Sequence, residues 1–272
     1  NLELGRFFPE RWGIRLPFYG QLSNTTRTPE FDPYDLDVRV EEKLDNAETR
    51  ADRDSIRNTV QDVVNIKSFN LTNVGKQSTG RGGEKPRPWD IENFSASYSY
   101  TETERSDPLI ESDVQQEYTG GLDYQFSRQV NYLEPFKFIR AKPLQIISQF
   151  NINPLPNSFN FSTFLDREFT TTKYRFTGLD ERFSTFYINR FAWDRNYDLQ
   201  WDLTKSLNIT YAATNQGVID EPNVAEIQEG DPTLSLEEIR QLRQDSIWEG
   251  IRNFGRTKNF RHSLAVNYTV PI

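Results

Sequence analysis

Between Phe183 and Ala213 polar and apolar residues alternate with a period of two. From Phe191 the odd positions are Phe191, Trp193, Arg195, Tyr197, Leu199, Trp201 and Leu203; the even positions between them are Ala192, Asp194, Asn196, Asp198, Gln200 and Asp202. After Thr204, Lys205 and Ser206 the alternation resumes, with Leu207, Ile209, Tyr211 and Ala213 against Asn208, Thr210, Ala212 and Thr214. Successive side chains of a strand point to opposite faces, so this stretch reads as a long hairpin with one aromatic face and one polar face. Strands of soluble sheets average about 5–6 residues. A membrane-crossing strand needs roughly 9–11, apolar toward lipid and polar toward a lumen. The pattern therefore predicts a transmembrane β-hairpin.

Four further segments carry the same alternation. They are Phe94, Ala96, Tyr98, Tyr100 against Ser95, Ser97, Ser99, Thr101; and Tyr118, Gly120, Leu122, Tyr124, Phe126 against Thr119, Gly121, Asp123, Gln125, Ser127. The third is Phe159, Phe161, Thr163, Leu165 against Asn160, Ser162, Phe164, Asp166, a noisier match; the last is Phe260, His262, Leu264, Val266, Tyr268, Val270 against Arg261, Ser263, Ala265, Asn267, Thr269. Weaker candidates are Gly13 to Tyr19, Val63 to Val74 and Phe169 to Phe176. The sum is eight to ten strands in antiparallel meander order.

Composition fits this reading. The 272 residues include 20 Phe, 12 Tyr and 5 Trp, yet the mean hydropathy is -0.75, because a barrel strand shows lipid only every second residue. No apolar stretch of ~20 residues exists for a membrane helix. The run Pro143 to Leu165 is interrupted by Pro154 and Pro156. The net charge of -8 disfavours nucleic acid as a partner. With no Cys, disulfides, thiolate metal sites and Cys nucleophiles are excluded.

Two segments break the alternation. Val40 to Gln61, with Leu44, Ala47, Ala51, Ile56 and Val60, reads as one weakly amphipathic helix. Gly217 to Arg256 contains a stronger one: Ser235 and Glu238 form a capping box, Leu236, Ile239, Leu242, Trp248 and Ile251 supply an apolar side, and Gly255 is the stop. Both are expected to decorate loops on the extracellular side. Lys76 to Pro88 and Arg105 to Glu111 read as linkers. The tight turn at Thr204 to Ser206 suits the periplasmic side. Arg195 then lies roughly 20–25 Å from the turn, near the far edge of the apolar band, with Trp193 and Tyr197 as an aromatic girdle.

No residue constellation points to catalysis. The single His262 falls on the apolar parity, no G-x-S-x-G elbow is present, and one His without Cys excludes the usual zinc sites. Asp32, Asp35, Asp37, Glu41 and Glu42 lack the glycine and spacing of a Ca²⁺ loop and read as a solvated acidic loop. Asp194, Asp198 and Asp202 share a face, but on a strand acids four residues apart lie ~13 Å apart, which suits a polar wall better than acid–base chemistry. Gly80 to Gly83 is a single RGG, and no phosphate-binding loop is found.

Several stretches resemble the SprA/Sov family, the giant outer-membrane translocons of the type IX secretion system of Bacteroidota, which also serve gliding motility. These are Glu3 to Ile14 (ELGRFFPERWGI), Leu44 to Arg57 (LDNAETRADRDSIR) with the NLTNVGK stretch at Asn70, Asp90 to Tyr100, Trp201 to Tyr211, Val218 to Asn223, and Asn253 to Ile272. They run nearly end to end. The resemblance implies a very large single-chain barrel of which this chain is an internal fragment. It also implies a passage for folded cargo proteins, and a PorV-like barrel or a plug protein closing a lateral opening.

The expectation is thus an all-β fold: a transmembrane antiparallel β-barrel segment over residues 1–272, with helical insertions at about 40–61 and 217–256, in the bacterial outer membrane. It has no enzymatic activity, cofactor or metal. Ser95, Ser97, Ser99, Asp123, Gln125, Asp194, Asp198, Asp202, Asn208 and Thr210 are expected to line a hydrated lumen. Phe94, Tyr98, Tyr100, Leu122, Tyr124, Phe126, Trp193, Leu199, Trp201, Ile209, Leu264, Val266 and Tyr268 are expected to face lipid or a neighbouring barrel. Trp201→Asp should then block insertion while Asp202→Asn leaves it intact. Two other classes stay open: a self-contained outer-membrane barrel that takes up a small ligand, with its first strand paired to its last, and a soluble secreted β-rich binding protein, with its apolar parity packed on a second sheet.

Overall fold

The computed structural model describes residues 2–77, 87–139, 145–175 and 185–270. Phe176, Phe183, the Gly80–Gly83 motif, most of the Lys76–Pro88 linker and the side chain of Leu236 lie outside the described residues.

Eight long strands carry the fold: β3 (Pro17–Arg27), β6 (Asp62–Lys76), β7 (Phe94–Ser106), β8 (Ile110–Ser127), β9 (Ser158–Tyr174), β10 (Thr185–Asp202), β11 (Leu207–Val218) and β12 (Arg256–Tyr268). With the two-residue strands β1 (Leu2–Glu3) and β2 (Ile14–Arg15) they form one ten-stranded antiparallel sheet. Its order is β1-β3-β6-β7-β8-β9-β10-β11-β12, with β2 also on β6. From β6 onward every strand pairs with its sequence neighbour, the meander expected from the alternation. The weak candidates at Val63 to Val74 and Phe169 to Phe176 belong to full-length strands; β9 continues unbroken from the noisier Phe159 segment into Thr170–Tyr174.

The sheet is open. Among the described residues β12 pairs with β11 alone, and β3 pairs with β6 and with β1 at Pro17 and Phe18 only. No described strand closes the sheet onto itself, so the described residues do not form the self-contained barrel. The second sheet is a two-stranded hairpin, β4 (Phe31–Asp32) with β5 (Asp35–Arg39), too small to cover the apolar parity of the first.

The charged segment 40–61 is two helices, not one: α1 (Val40–Asp45) and α2 (Arg50–Val60). The break follows from Thr49, whose hydroxyl accepts from the Asp52 amide while the Asp52 carboxylate accepts from the Thr49 amide. That reciprocal cap starts a new helix. Arg105 to Glu111 is no linker but a tight β7–β8 turn, in which Asp107 Oδ1 accepts from the amides of Leu109 and Ile110, both at 2.8 Å. Besides α3 (Gln145–Ser148), the described helices include α4 (Val224–Gly230) and α5 (Leu236–Arg252) in the β11–β12 connection. The Ser235–Glu238 box caps α5 as its sequence predicts, and Gly255 closes the segment in the left-handed region, φ 66°. α1, α2, α4 and α5 all lie at the sheet end that carries the β7–β8 turn, opposite the Thr204–Ser206 turn. No described helix is long and apolar enough to cross a membrane, which says nothing of strands.

Candidate functional site

Register sorts the side chains into rows that run across the sheet. One row is Gly20, Phe69, Tyr100, Tyr118, Arg167, Phe191. The next toward the Thr204 turn is Phe18, Leu71, Tyr98, Gly120, Leu165, Trp193. Then come Ala96, Leu122, Thr163, Arg195, Asn215, Phe260, followed by Phe94, Tyr124, Phe161, Tyr197, Ala213, His262. The last are Phe126, Phe159, Leu199, Tyr211, Leu264, and finally Trp201, Ile209, Val266. Partners in a row share a face. All the residues expected to face lipid or a neighbour therefore stand on one face. All those expected to line a lumen stand on the other, as in Ser95–Asp123–Ser162–Asn196 and Gln125–Asn160–Asp198.

The apolar band has a defined height. Along β10 it runs from Phe191 to Trp201, about 33 Å of strand at ~3.3 Å per residue, or about 25 Å along a bilayer normal at ~40° tilt. Arg195 therefore stands well inside the band and not near its far edge as expected, and Trp193 and Tyr197 beside it do not form a boundary girdle; the chain's own insertion buries it there. Beyond Phe191 the face turns polar: Lys67, Glu102 and Gln116 stand side by side, with the Lys67 ammonium 2.9 Å and the Gln116 amide 3.0 Å from the Glu102 carboxylate. There the strands carry polar groups on both faces.

The polar face holds a cleft of about 1050 Å³ lined by Ser95, Ser97, Asp123, Gln125, Asn160 and Asp198, among others. Its groups bond to each other: Ser99 and Thr119 hydroxyls lie 2.5 Å apart, and Asn196 donates to Ser162 at 3.3 Å. Asp202 accepts from Asn157 at 2.5 Å and from Asn208. It is thus a structural acceptor as well as a member of the polar wall. This wall is not purely polar: Phe164, opposite Gly121, is 47 % exposed, and Tyr19, Phe186 and Ile188 share its face.

Exposure divides the apolar face. Leu122, Leu264, Val266 and Tyr268 are open, whereas Trp193 and Phe126 are 9 % and 1 % exposed. The β11–β12 insertion folds back onto this face. Ile219, Ile247 and Ile251 pack on Leu165, Phe191 and Trp193. Phe254 stacks on Trp193 at 5.8 Å and 21°. Trp201 is also engaged by the chain itself, donating its indole N–H to the Asn153 carbonyl at 2.9 Å. Trp193 therefore meets the chain's own insertion rather than the surroundings expected of a girdle residue.

The two arginines on the apolar face explain how the insertion is held. Arg195, 8 % exposed, lies 4.8 Å over the Trp193 ring and 5.9 Å from Phe254; its Nη2 donates to Asn215 Oδ1 at 3.1 Å and to the Phe254 carbonyl at 2.9 Å. Arg167 donates to both oxygens of Glu221, at 2.8 and 2.6 Å. Arg243 of α5 adds a 2.5 Å bond to the same carboxylate and lies 4.4 Å over Phe169. Burial alone would raise the Glu221 pKa, but the Arg167 hydrogen bonds and the two guanidinium charges outweigh it and hold the carboxyl below its ordinary value. Arg167 was not singled out from sequence, although an Arg on the apolar parity was the available signal.

His262 sits on the apolar face against the ring of Phe260 at 5.3 Å. Asp32 is fully buried, with its carboxylate on Lys43 and on the Tyr34 amide, and so leaves the solvated acidic loop. Among the described residues no three His, Cys, Asp or Glu gather into a metal-holding group. No curated protein matches the chain. Residues 1–44 are similar to the SprA_N family, whose model is described as a motility related/secretion protein and matches over those residues.

Proposed function

We propose that this chain forms part of the wall of a protein-conducting channel of the bacterial outer membrane, of the SprA class that serves type IX secretion and gliding motility in Bacteroidota. In this reading the polar face lines a hydrated passage for folded cargo. The open part of the apolar face meets lipid or a neighbouring PorV-like barrel, and a plug protein or that barrel closes the lateral opening. The wall is passive: no catalytic step and no cofactor is assigned to it, so the driving energy comes from elsewhere.

The observation that carries the proposal is the apolar band. Rows dominated by Phe, Tyr, Leu and Trp cross the sheet from β6 to β12, ~25 Å high for a tilted strand, and give way beyond Phe191 to rows in which charged and amide side chains such as Lys67, Glu102 and Gln116 mix with Leu22 and Phe169. The similarity of residues 1–44 to a motility and secretion family supports the same reading. The unpaired edges of β3 and β12 suit a wall continued by further strands.

Photo-crosslinking in the producing bacterium tests it. A benzophenone side chain at Ser97, Asp123 or Asp198 should capture secreted proteins in transit, and one at Leu122 or Leu264 should capture lipid or a membrane protein. Capture of secreted proteins only from the apolar positions would overturn the proposal.

A further inference from the structure

A groove of about 550 Å³ lies on the apolar face at the end opposite α1, α2, α4 and α5. Its walls include Trp12, Ile14, Val74, Ile91, Phe94 and Leu122, and Arg11 and Lys76 stand among them as the cationic groups. The N-terminal segment builds one wall. β2 pins it to β6 through the Ile14–Lys76 and Arg15–Gly75 pairs, and Gly13, in the left-handed region at φ 61°, turns the chain just before them. Phe8 stacks on Trp12 at 6.0 Å and keeps that ring over the groove.

The two cations differ. Lys76 is paired with Glu92 at 2.8 Å, while Arg11 is exposed and enters no ion pair among the described residues. The groove therefore offers a long apolar body with one uncompensated guanidinium at its rim. Ligand sites commonly measure roughly 300–1,000 Å³ and are lined by apolar side chains with few polar groups. Here the complement is an amphipathic anion. An exposed Arg beside a Trp on an apolar wall is a pairing that can meet a lipid headgroup while its stem lies along the wall.

We infer that this groove holds one acyl chain of an anionic phospholipid, with its phosphate on Arg11. The inference rests on the membrane reading above. The occupant adds to the hold of β2 on the N-terminal segment and covers the groove-facing surface of Trp12, Ile91 and Phe94, all of them exposed.

Tryptophan quenching by bromine-labelled lipids tests it. The full chain is reconstituted in vesicles of phosphatidylcholine containing either brominated phosphatidylglycerol or brominated phosphatidylcholine. The Trp12 contribution is the difference between the natural chain and Trp12→Phe. Quenching of Trp12 should be at least three-fold stronger with the anionic lipid. Arg11→Gln should abolish that preference without changing the quenching of the other tryptophans, and Ala96→Met, which fills the groove, should lower Trp12 quenching with both lipids. Free inorganic phosphate should not compete. Equal quenching by the two lipids, loss of the preference on adding phosphate, or a preference that survives Arg11→Gln overturns the inference while leaving the membrane reading intact. Absence of quenching at every tryptophan overturns both.

Discussion

At the scale of single residues, Glu221 decides whether the insertion stays on the sheet. Its carboxylate is 1 % exposed and is shared by Arg167 and Arg243. Removing one partner of a fully buried pair costs about 3–5 kcal/mol; here the cost lies below that range, because the Arg167 and Arg243 side chains keep 24 % and 15 % of their surface exposed. Glu221→Ala should therefore detach the insertion before it disturbs the sheet. Hydrogen exchange should show amides of α5 losing protection, with those of β8 and β9 unchanged. Loss of protection throughout the sheet would mean that the insertion is part of the core. The pH dependence has a definite sign. The Glu221 pKa is lowered in the folded state, so its contribution is complete above the ordinary glutamate value of about 4.3 and fades as pH falls through the lowered one. Protection of α5 should accordingly be flat from neutral pH down to that range and drop below it, and Glu221→Gln should remove this acid limb.

At the scale of elements, the insertion fits because α5 approaches the chain closely. A Cβ on Gly250 would lie 2.6 Å from Ile219 Cγ2, and one on Gly255 would lie 2.9 Å from the Val218 carbonyl at a φ of 66°. Gly255→Ala meets both the left-handed strain, about 1–2 kcal/mol, and that contact. It should lower the protection of α5 by roughly ten-fold or more, whereas Gly230→Ala, with open space around it, should not; equal effects would deny the tight approach. Most strands were legible in the sequence, since alternation is local and antiparallel pairing carries the parity of one strand to its neighbour. The second helix of segment 40–61 was legible only through its cap, Thr49 with Asp52, which an averaged amphipathic reading overlooks. The short α4 is capped by the same kind of box, Asn223 with Glu226, and the sequence reading passes over it. What parity cannot report is which part of a face the chain covers with itself. That depends on contacts between distant segments, such as Phe254 on Trp193. Arg167 and Arg195 were the local trace of it: a charge on an apolar parity needs a partner from elsewhere in the chain.

At the scale of the molecule, the account concerns what each face of the open sheet meets. Ser263 and Leu264 are neighbours on the edge strand β12, and both side chains are exposed. An acid on the lipid face of a barrel strand is penalised by up to about 2 kcal/mol near mid-membrane, and one on the lumen face is not. Leu264→Asp should thus reduce membrane insertion several-fold, read as the heat-modifiable fraction on gels, and Ser263→Asp should leave it unchanged; equal losses would contradict the assignment of faces. The absence of cysteine makes a still more direct test available. Single cysteines at Gly121, Leu122, Asp123, Tyr124 and Gln125 of β8, with the chain in bilayers, can be labelled with a membrane-impermeant maleimide. The account predicts reactivity alternating with a period of two, rapid at 121, 123 and 125 and slow at 122 and 124. Uniform reactivity, or alternation of the opposite phase, would contradict it.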